Sequence, residues 1–285
     1  MFTSSSVVRF GQGGSILRAR NNAPLLLDEM KTRVPSIFAE DKHSSRSEKY
    51  SYIPTSLLLE KMQAEGFFPM EVRQGGSKDE EKRGFTKHMI RFRQSSVLPV
   101  VGDTFPEIIL INSHDGTSSY HLNAGWFRLV CSNGMVVSEQ AGPSIKVPHR
   151  GNVDDVIEAS FTVVKGFEEQ AAAIENMANL QLTGPEQEIF AHSAAMLRFD
   201  EEQNVKPAQL LRARRSADTG ADLWRTLNRV QENVIDGGVR TENVNPQGCR
   251  TYRRSRAVNS IGENVKLNQA LWALAESMKA IKQAA

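Results

Sequence analysis

Arginine side chains are concentrated in two short segments of the C-terminal half of the chain. The first arginine cluster comprises Arg212, Arg214 and Arg215. The second arginine cluster comprises Arg250, Arg253, Arg254 and Arg256, with Tyr252 among them. The planar guanidinium group suits phosphate oxygens, and an interleaved aromatic ring can stack on a nucleic-acid base. Both clusters therefore predict contact with nucleic acid, although basic loops between helices also occur simply as solvated surface.

A strand pattern in the N-terminal half supplies further positive charge. Side chains of a strand alternate between its two faces, so residues 86–94 divide into an apolar face and a basic face. His88, Ile90 and Phe92 fall on the face expected in the core, whereas the other face carries Lys87, Arg91 and Arg93. We expect these cations to share a track with at least one of the arginine clusters. An ordinary solvated sheet face would show the same pattern.

His149 and Arg150 form a smaller basic pair directly before a predicted helix. The amide groups at a helix N-terminus can help to bind a phosphate, so the pair is a further candidate for nucleic-acid contact. A simple turn followed by the helix-capping residue Asn152 explains the same residues equally well.

Catalytic patterns are weak by comparison. A zinc site could use only His114, Asp115, His121 and Cys131, but turn and strand positions explain these residues without a metal. Carboxylates for a metal-dependent nuclease would be Asp103, Glu107 and Asp115, which lack a signature spacing. Neither a Walker lysine loop nor a dinucleotide fingerprint is present. We predict a non-enzymatic protein without a cofactor, and a metal-dependent enzyme acting on nucleic acid remains an alternative.

The formal net charge of +2 conceals a strong local asymmetry. Between Lys206 and Arg256, eleven Lys and Arg stand against five Asp and Glu, which gives +6 there and −4 over the remaining residues. A partner responds to local charge because salt screens exposed charges beyond about 8 to 10 Å. The asymmetry favours a polyanionic partner.

Composition and hydropathy place the chain among cytoplasmic globular proteins. Hydrophobic residues make up 40% of 285, enough for a substantial core. No apolar run approaches the roughly 18 residues that span a bilayer, and the first residues lack the apolar core of a secretory signal. Two cysteines, Cys131 and Cys249, are too few for a disulfide framework. We therefore expect reduced thiols and no membrane partner.

The order of predicted elements is strands first and helices second, which is typical of an α+β fold. A helix at 52–66 precedes several strands, and the charged segment 74–84 should form a long hairpin loop. Residues 107–112 predict a central strand covered on both sides, followed by a turn at Asp115 and Gly116. Helices are predicted from Asn152 to about Leu180, from Pro185, from 222 to 236, and from Ser260. The helices of the C-terminal half should pack on the antiparallel sheet.

This pattern suggests three regions. Residues 1–24 are rich in Ser, Gly, Arg and Asn and predict a mobile N-terminal arm or an edge segment. Residues 25–182 should form an α+β core domain. Residues 183–285 should form a helical region with basic loops.

Several segments together resemble a known family. They are HSSRSEKYSYIPT (43–55), RGFTKHMIRFR (83–93), PEIILINSHDGTSSYHLNAGWFRLVCSNGMVV (106–137), VPHRGN (147–152) and RAVNSIGENVKLNQALWALAE (256–276). From about Val34 to nearly the C-terminus, the chain closely resembles proteins of bacterial plasmids and prophages catalogued as domain of unknown function 932. That resemblance implies no particular activity and no site residues.

The order of elements is also similar, more distantly, to that of the phage single-strand annealing proteins of the RecT and Red-beta kind. This second resemblance is an analogy of architecture and mobile-element context. It implies binding of single-stranded DNA in a basic groove, self-association and a role in recombination, and it carries over no site residue. The residues themselves offer Tyr252, and the less suitable Trp126, for stacking on bases. The alternative partner is a host defence or regulatory protein whose acidic surface meets the same arginines.

Overall fold

The computed structural model describes residues 5–20, 22–46, 52–95, 98–100, 103–128, 133–137, 144–148, 152–244 and 247–284. The chain divides into two compact units. Unit 1 comprises Met1–Leu129 and Gly142–Phe167, and unit 2 comprises Val130–Ala141 and Glu168–Ala285. The main break therefore comes earlier than the boundary predicted at residue 183. Gly166, close to this break, ends the helix Val153–Lys165, and a second helix starts at Phe167. The sequence predicts one long helix across both.

An antiparallel sheet organises unit 1. Its strands are β1 (Ser5–Phe10), β2 (Gly14–Ala19), β3 (Phe67–Gln74), β4 (His88–Gln94), β5 (Thr104–Asn112) and β6 (Tyr120–Arg128), while β7 (Asn133–Val136) belongs to unit 2 and β8 (Ser144–Val147) pairs with β6. The first six strands pair in sequence order. The predicted α+β class is confirmed, with the sheet in the N-terminal half and most helices in the C-terminal half.

Several local predictions for this sheet are confirmed. The charged segment joins β3 and β4 as a long hairpin, and β5 is buried along its whole length. Gly116, in the turn before β6, has a φ of +79°, a conformation that glycine adopts without a steric penalty. The mobile arm is wrong for the described residues, because β1 and β2 form a hairpin that pairs with β3. Ile16 and Leu17 explain this outcome because both are buried.

The helices in the described part of unit 1 are α1 (Leu27–Arg33), α2 (Thr55–Ala64) and α3 (Val153–Lys165). A short 3₁₀ helix, Pro35–Phe38, follows α1. Helix α2 packs on β3, and α3 packs on β5, β6 and β8. The Trp126 ring is buried, and its centroid lies 6.0 Å from that of Phe167. Trp126 is therefore a core residue and cannot stack on a ligand in this conformation.

Helices dominate unit 2. They are α4 (Phe167–Asn179), which starts at the end of unit 1, α5 (Gly184–Met196), α6 (Pro207–Leu210), α7 (Leu223–Asp236) and α8 (Ile261–Ala284), with short 3₁₀ helices at Glu201–Gln203 and Ser216–Asp218. Asp222 caps α7 by accepting a hydrogen bond from the Arg225 amide. Helices α7 and α8 pack through Trp224 and Trp272 in an edge-to-face contact. In the part of the chain that the structure describes, no helix combines the length and apolarity needed to cross a membrane.

Candidate nucleic-acid interface

A two-stranded hairpin in unit 2 carries most of the second arginine cluster. Its strands are β9 (Arg240–Val244) and β10 (Arg250–Arg254), and the sequence patterns considered above do not predict it. Residues directly opposite each other in an antiparallel pair share a face. The register therefore places Arg240, Glu242, Val244, Arg250, Tyr252 and Arg254 on one face, and Thr241, Asn243, Thr251 and Arg253 on the other.

Two adjoining cavities lie against the first of these faces, and we call them together the basic cleft. The larger has a volume of about 640 Å³ and is lined by Gln209, Arg212, Ala213, Arg214, Asn233, Asp236, Gly237, Gly238, Val239, Arg240 and Arg254. The smaller has a volume of about 440 Å³ and is lined by Asn204, Lys206, Gln209, Arg240, Glu242, Arg250 and Tyr252. Because Gln209 and Arg240 line both cavities, the two cavities adjoin along the hairpin face.

Side-chain amide groups of Asn233, which is buried, and Gln209, which is half-buried, hold the cleft walls in place. The Asn233 side chain on α7 donates hydrogen bonds to the carbonyl oxygens of Leu210 and Arg212, each at 2.9 Å. Its own oxygen accepts a hydrogen bond of 2.9 Å from Arg214 Nε. The Gln209 amide pairs with the Arg240 backbone through two hydrogen bonds, of 3.1 and 3.0 Å, as a neighbouring strand would. The loop that carries the first arginine cluster is thus fixed against both α7 and β9.

The connection between α7 and β9 brings the hairpin close to the helix end. Gly237 has a φ of +71°, and a Cβ atom there would lie 2.6 Å from the Arg256 carbonyl oxygen. Only glycine fits this close approach without displacing the backbone. Gly237 therefore allows the segment after β10 to pass directly over the end of α7.

The basic cleft carries a clear excess of positive charge. Its lining contains six basic side chains, from Lys206, Arg212, Arg214, Arg240, Arg250 and Arg254, and two carboxylates, from Asp236 and Glu242, which gives +4. Glu242 is engaged by Arg250 in an ion pair of 3.0 Å. Asp236 also interacts with Arg198. Burial lowers the pKa of Arg198, and the negative charge of Asp236 partly offsets this effect. The two carboxylates offset only part of the positive charge, and within the described residues neither Arg212 nor Arg254 is in an ion pair.

The structure separates the arginines that the sequence groups together. Arg212, Arg214, Arg250 and Arg254 line the cleft with Tyr252, whereas Arg215, Arg253 and Arg256 do not. Arg215 instead forms an ion pair with the buried carboxylate of Glu232. Arg253 lies on the opposite hairpin face.

Sequence reasoning missed Arg240 and Gln209. The signal that could have identified Arg240 is the alternation along β9, which becomes visible only once the turn around Gly248 is recognised. Gln209 carries no such signal, because an amide that pairs with a strand edge has no sequence pattern of its own.

The expected basic face of β4 is wrong. The Arg91 side chain is 1% exposed and that of Arg93 is 5% exposed, and both form ion pairs of 2.6 Å with Glu107 on β5. The Arg93 guanidinium also lies 4.4 Å from the centre of the Phe105 ring. A period-two pattern cannot distinguish a solvated face from a buried face whose charges are paired on the neighbouring strand. Lys87, directly before β4, is half-buried.

The buried charges continue on β3 through Glu71. This carboxylate lies 2.6 Å from Arg18 on β2 and also pairs with Arg73. Burial alone would raise the pKa of Glu71, but the guanidinium groups of Arg18, Arg73 and Arg91 outweigh it and lower that pKa to about 2. In unit 1, Arg18, Arg91 and Arg93 therefore stabilise the sheet by pairing with buried carboxylates on neighbouring strands.

The segment before α3 supports the capping interpretation. Asn152 accepts a hydrogen bond of 2.9 Å from the Asp155 amide, and the Asp155 carboxylate accepts one of 2.8 Å from the Asn152 amide. This reciprocal pair satisfies donors that a phosphate would otherwise use. His149 and Arg150 themselves lie outside the described residues.

The proposed catalytic groups do not come together. Glu107 pairs with Arg91 and Arg93, whereas Asp115 accepts hydrogen bonds from Thr117. Asp103 lies 3.6 Å from Arg128. No cluster of three or more His, Cys, Asp or Glu residues suited to a metal ion occurs within the described ranges, which exclude Cys131.

His114 lies in the turn between β5 and β6, as the sequence predicts, and its side chain is buried there. Its Nε2 lies 3.1 Å from the hydroxyl of Thr55, the first residue of α2. The same hydroxyl lies 3.0 Å from His88 Nε2 and accepts a hydrogen bond of 3.1 Å from the Asn112 amide. Thr55 thus ties α2 to β4 and β5 through a buried polar network.

Comparison with known protein families identifies the family to which the chain belongs. The family model described as a domain of unknown function, DUF932, matches residues 42–272. The chain belongs to the DUF932 family. That match covers most of unit 1 and all of the basic cleft, so the candidate interface lies within the DUF932 region.

Two curated relatives are similar over nearly their full lengths. The DUF932 chain is 45% identical to the UPF0380 protein YfjQ of Escherichia coli (strain K12) over 272 residues, which cover 95% of the chain and 96% of the relative. It is 44% identical to the UPF0380 protein YafZ of the same organism, with the same coverage. No solved structure matches the chain. The likeness to phage annealing proteins therefore remains an analogy.

Proposed function

We propose that the protein binds nucleic acid through the basic cleft of unit 2 and that it does not act on that ligand as an enzyme. The observation that carries the proposal is the convergence of the two arginine clusters. Arg212 and Arg214 come from the loop before α7 and line the larger cavity together with Arg254 of β10, while Arg250 of β10 lines the adjoining smaller cavity.

The chemistry of these groups suits phosphate better than a single carboxylate. Arg212 is exposed, and within the described part of the chain its guanidinium forms no hydrogen bond or ion pair. Arg254 donates only to a backbone carbonyl, that of Gly238 at 3.2 Å, and so keeps its charge unneutralised. Guanidinium groups of this kind bind phosphate oxygens through paired hydrogen bonds. Several of them along one cleft would follow successive phosphates of a strand.

Single-stranded DNA as the favoured ligand, self-association along the strand and a role in mobile genetic elements belong to the same proposal. They come from the sequence resemblances rather than from the cleft. The positive charge of the cleft supports one element of this proposal, the binding of a polyanionic nucleic-acid strand.

Binding by phosphate neutralisation has a measurable signature. If the net charge of the cleft neutralises about four phosphates, the logarithm of the association constant should fall with the logarithm of the salt concentration with a slope of about −3 on a single strand. Fluorescence anisotropy of a labelled oligonucleotide from 50 to 200 mM salt should then show about a 50-fold loss of affinity. Absence of binding at the lowest salt concentration would refute the proposal.

A further inference from the structure

Among the residues that the structure describes, Tyr252 is the one aromatic residue that lines the basic cleft, and its environment differs from that of a core tyrosine. The side chain projects from β10 on the cleft face and is 49% exposed. The Arg240 guanidinium lies over the ring, 3.8 Å from its centre. Arg240 comes from the neighbouring strand, so the hairpin register itself sets this contact.

We propose that Tyr252, backed by Arg240, is a stacking platform for an unpaired base of the bound strand. This inference rests on the proposed nucleic-acid function and adds the chemical form of the ligand. A guanidinium over one face of an aromatic ring fixes the ring by a cation–π contact. The residue is 49% exposed, and every nucleic-acid base offers a flat face that can stack on an aromatic ring.

Charges on both sides of the platform would place the strand. Lys206 and Arg250 line the same cavity as Tyr252, and Arg240 extends into the larger cavity that Arg212 and Arg254 line. A base on the ring would therefore have cationic groups within the cleft on either side for its flanking phosphates.

This arrangement selects against a continuous duplex. Bases within a duplex are already stacked on their neighbours, and exposing a face requires unstacking. A single strand offers base faces at much lower cost, so the platform would favour unpaired nucleic acid without reading its sequence.

The test compares three proteins with four probes. The proteins are the wild type, Tyr252→Ala and Tyr252→Phe. The probes are a labelled oligothymidine, an abasic oligonucleotide of equal length, a duplex closed by loops of abasic linker, and inorganic polyphosphate used as a competitor. Stacking is worth about 5- to 150-fold in affinity per base. Tyr252→Ala should lower oligothymidine affinity by that factor, whereas Tyr252→Phe should keep wild-type affinity because the ring is retained.

The other probes separate stacking from charge. Tyr252→Ala should bind the abasic strand, the duplex and polyphosphate as the wild type does. Equal oligothymidine binding by the wild type and Tyr252→Ala would overturn the platform while leaving phosphate binding intact. A uniform loss on all probes would also overturn it, because the ring would then only support the hairpin. If the wild type bound none of the probes, the proposed function and the platform would fall together.

Discussion

The buried carboxylate of Glu107 provides a direct test of the structural role assigned to Arg91 and Arg93. Its side chain is 1% exposed, and it accepts hydrogen bonds of 2.6 Å from Arg91 Nε and from Arg93 Nη2. In a Glu107→Gln variant the charge is lost, and the new amide places a donor against a guanidinium donor. Removing one partner of a buried ion pair costs about 3 to 5 kcal/mol in unfolding free energy. For a unit of this size, that corresponds to a Tm lower by roughly 6 to 20 °C.

Urea unfolding followed by far-UV circular dichroism would measure the loss. The matched control is Glu80→Gln, because Glu80 is 80% exposed and pairs only with Arg83 in the β3–β4 loop. That change should alter the unfolding free energy by less than about 0.5 kcal/mol. An unfolding free energy of Glu107→Gln within about 1 kcal/mol of the wild-type value would refute the buried ion pairs. It would favour the expectation that Arg91 and Arg93 lie on an exposed basic face of β4.

Two further predictions concern unit 1. Since the pKa of Glu71 is lowered from 4.5 to about 2, its ionised form stabilises the folded state above pH 4.5, and this stabilisation is lost as the pH falls towards 2. Wild-type and Glu71→Gln unfolding free energies should therefore converge on acidification, and parallel curves from pH 6 to 2.5 would contradict this. Thr55→Val should cost about 2 to 4 kcal/mol, because His88, His114 and Asn112 lose their shared hydroxyl. Thr55→Ser, which keeps the hydroxyl, should cost only about 1 kcal/mol, and equal urea-unfolding losses for the two variants would count against the network.

The sequence predicts local elements of this protein well where each element has its own pattern. The apolar run of β5, the turn at Gly116 and the capping residue Asn152 each act within a few residues, and the structure has all three. The helix break at Gly166 is missed because an isolated glycine inside an amphipathic pattern can either be tolerated within a helix or end it.

The candidate site is only partly predictable, for a different reason. The arginine clusters are visible as composition, but the fate of each guanidinium depends on carboxylates distant in sequence. Glu107 pairs with Arg91 and Arg93 in the interior, whereas Glu232 pairs with Arg215, whose side chain stays partly exposed. Alternation within a strand predicts on which face of the sheet a side chain lies. It does not predict whether solvent or another part of the protein covers that face.

Convergence of the clusters is likewise a tertiary property. Asn233 and Gln209 bring the loop before α7 against the hairpin through hydrogen bonds to backbone groups. Because these hydrogen bonds go to backbone groups, no periodic sequence pattern predicts them. The result is a cleft whose basic residues come from three separate segments.

The most direct test of the basic cleft compares two double variants that remove equal charge from the same segment. Arg250→Ala with Arg254→Ala removes two cleft cations, whereas Arg253→Ala with Arg256→Ala removes two that lie outside the cleft. The measurement is the salt dependence of oligonucleotide affinity for both variants and the wild type. The slope should weaken from about −3 to about −1.5 for the first variant and stay near −3 for the second. Equal slopes for the two variants would contradict a nucleic-acid site in this cleft.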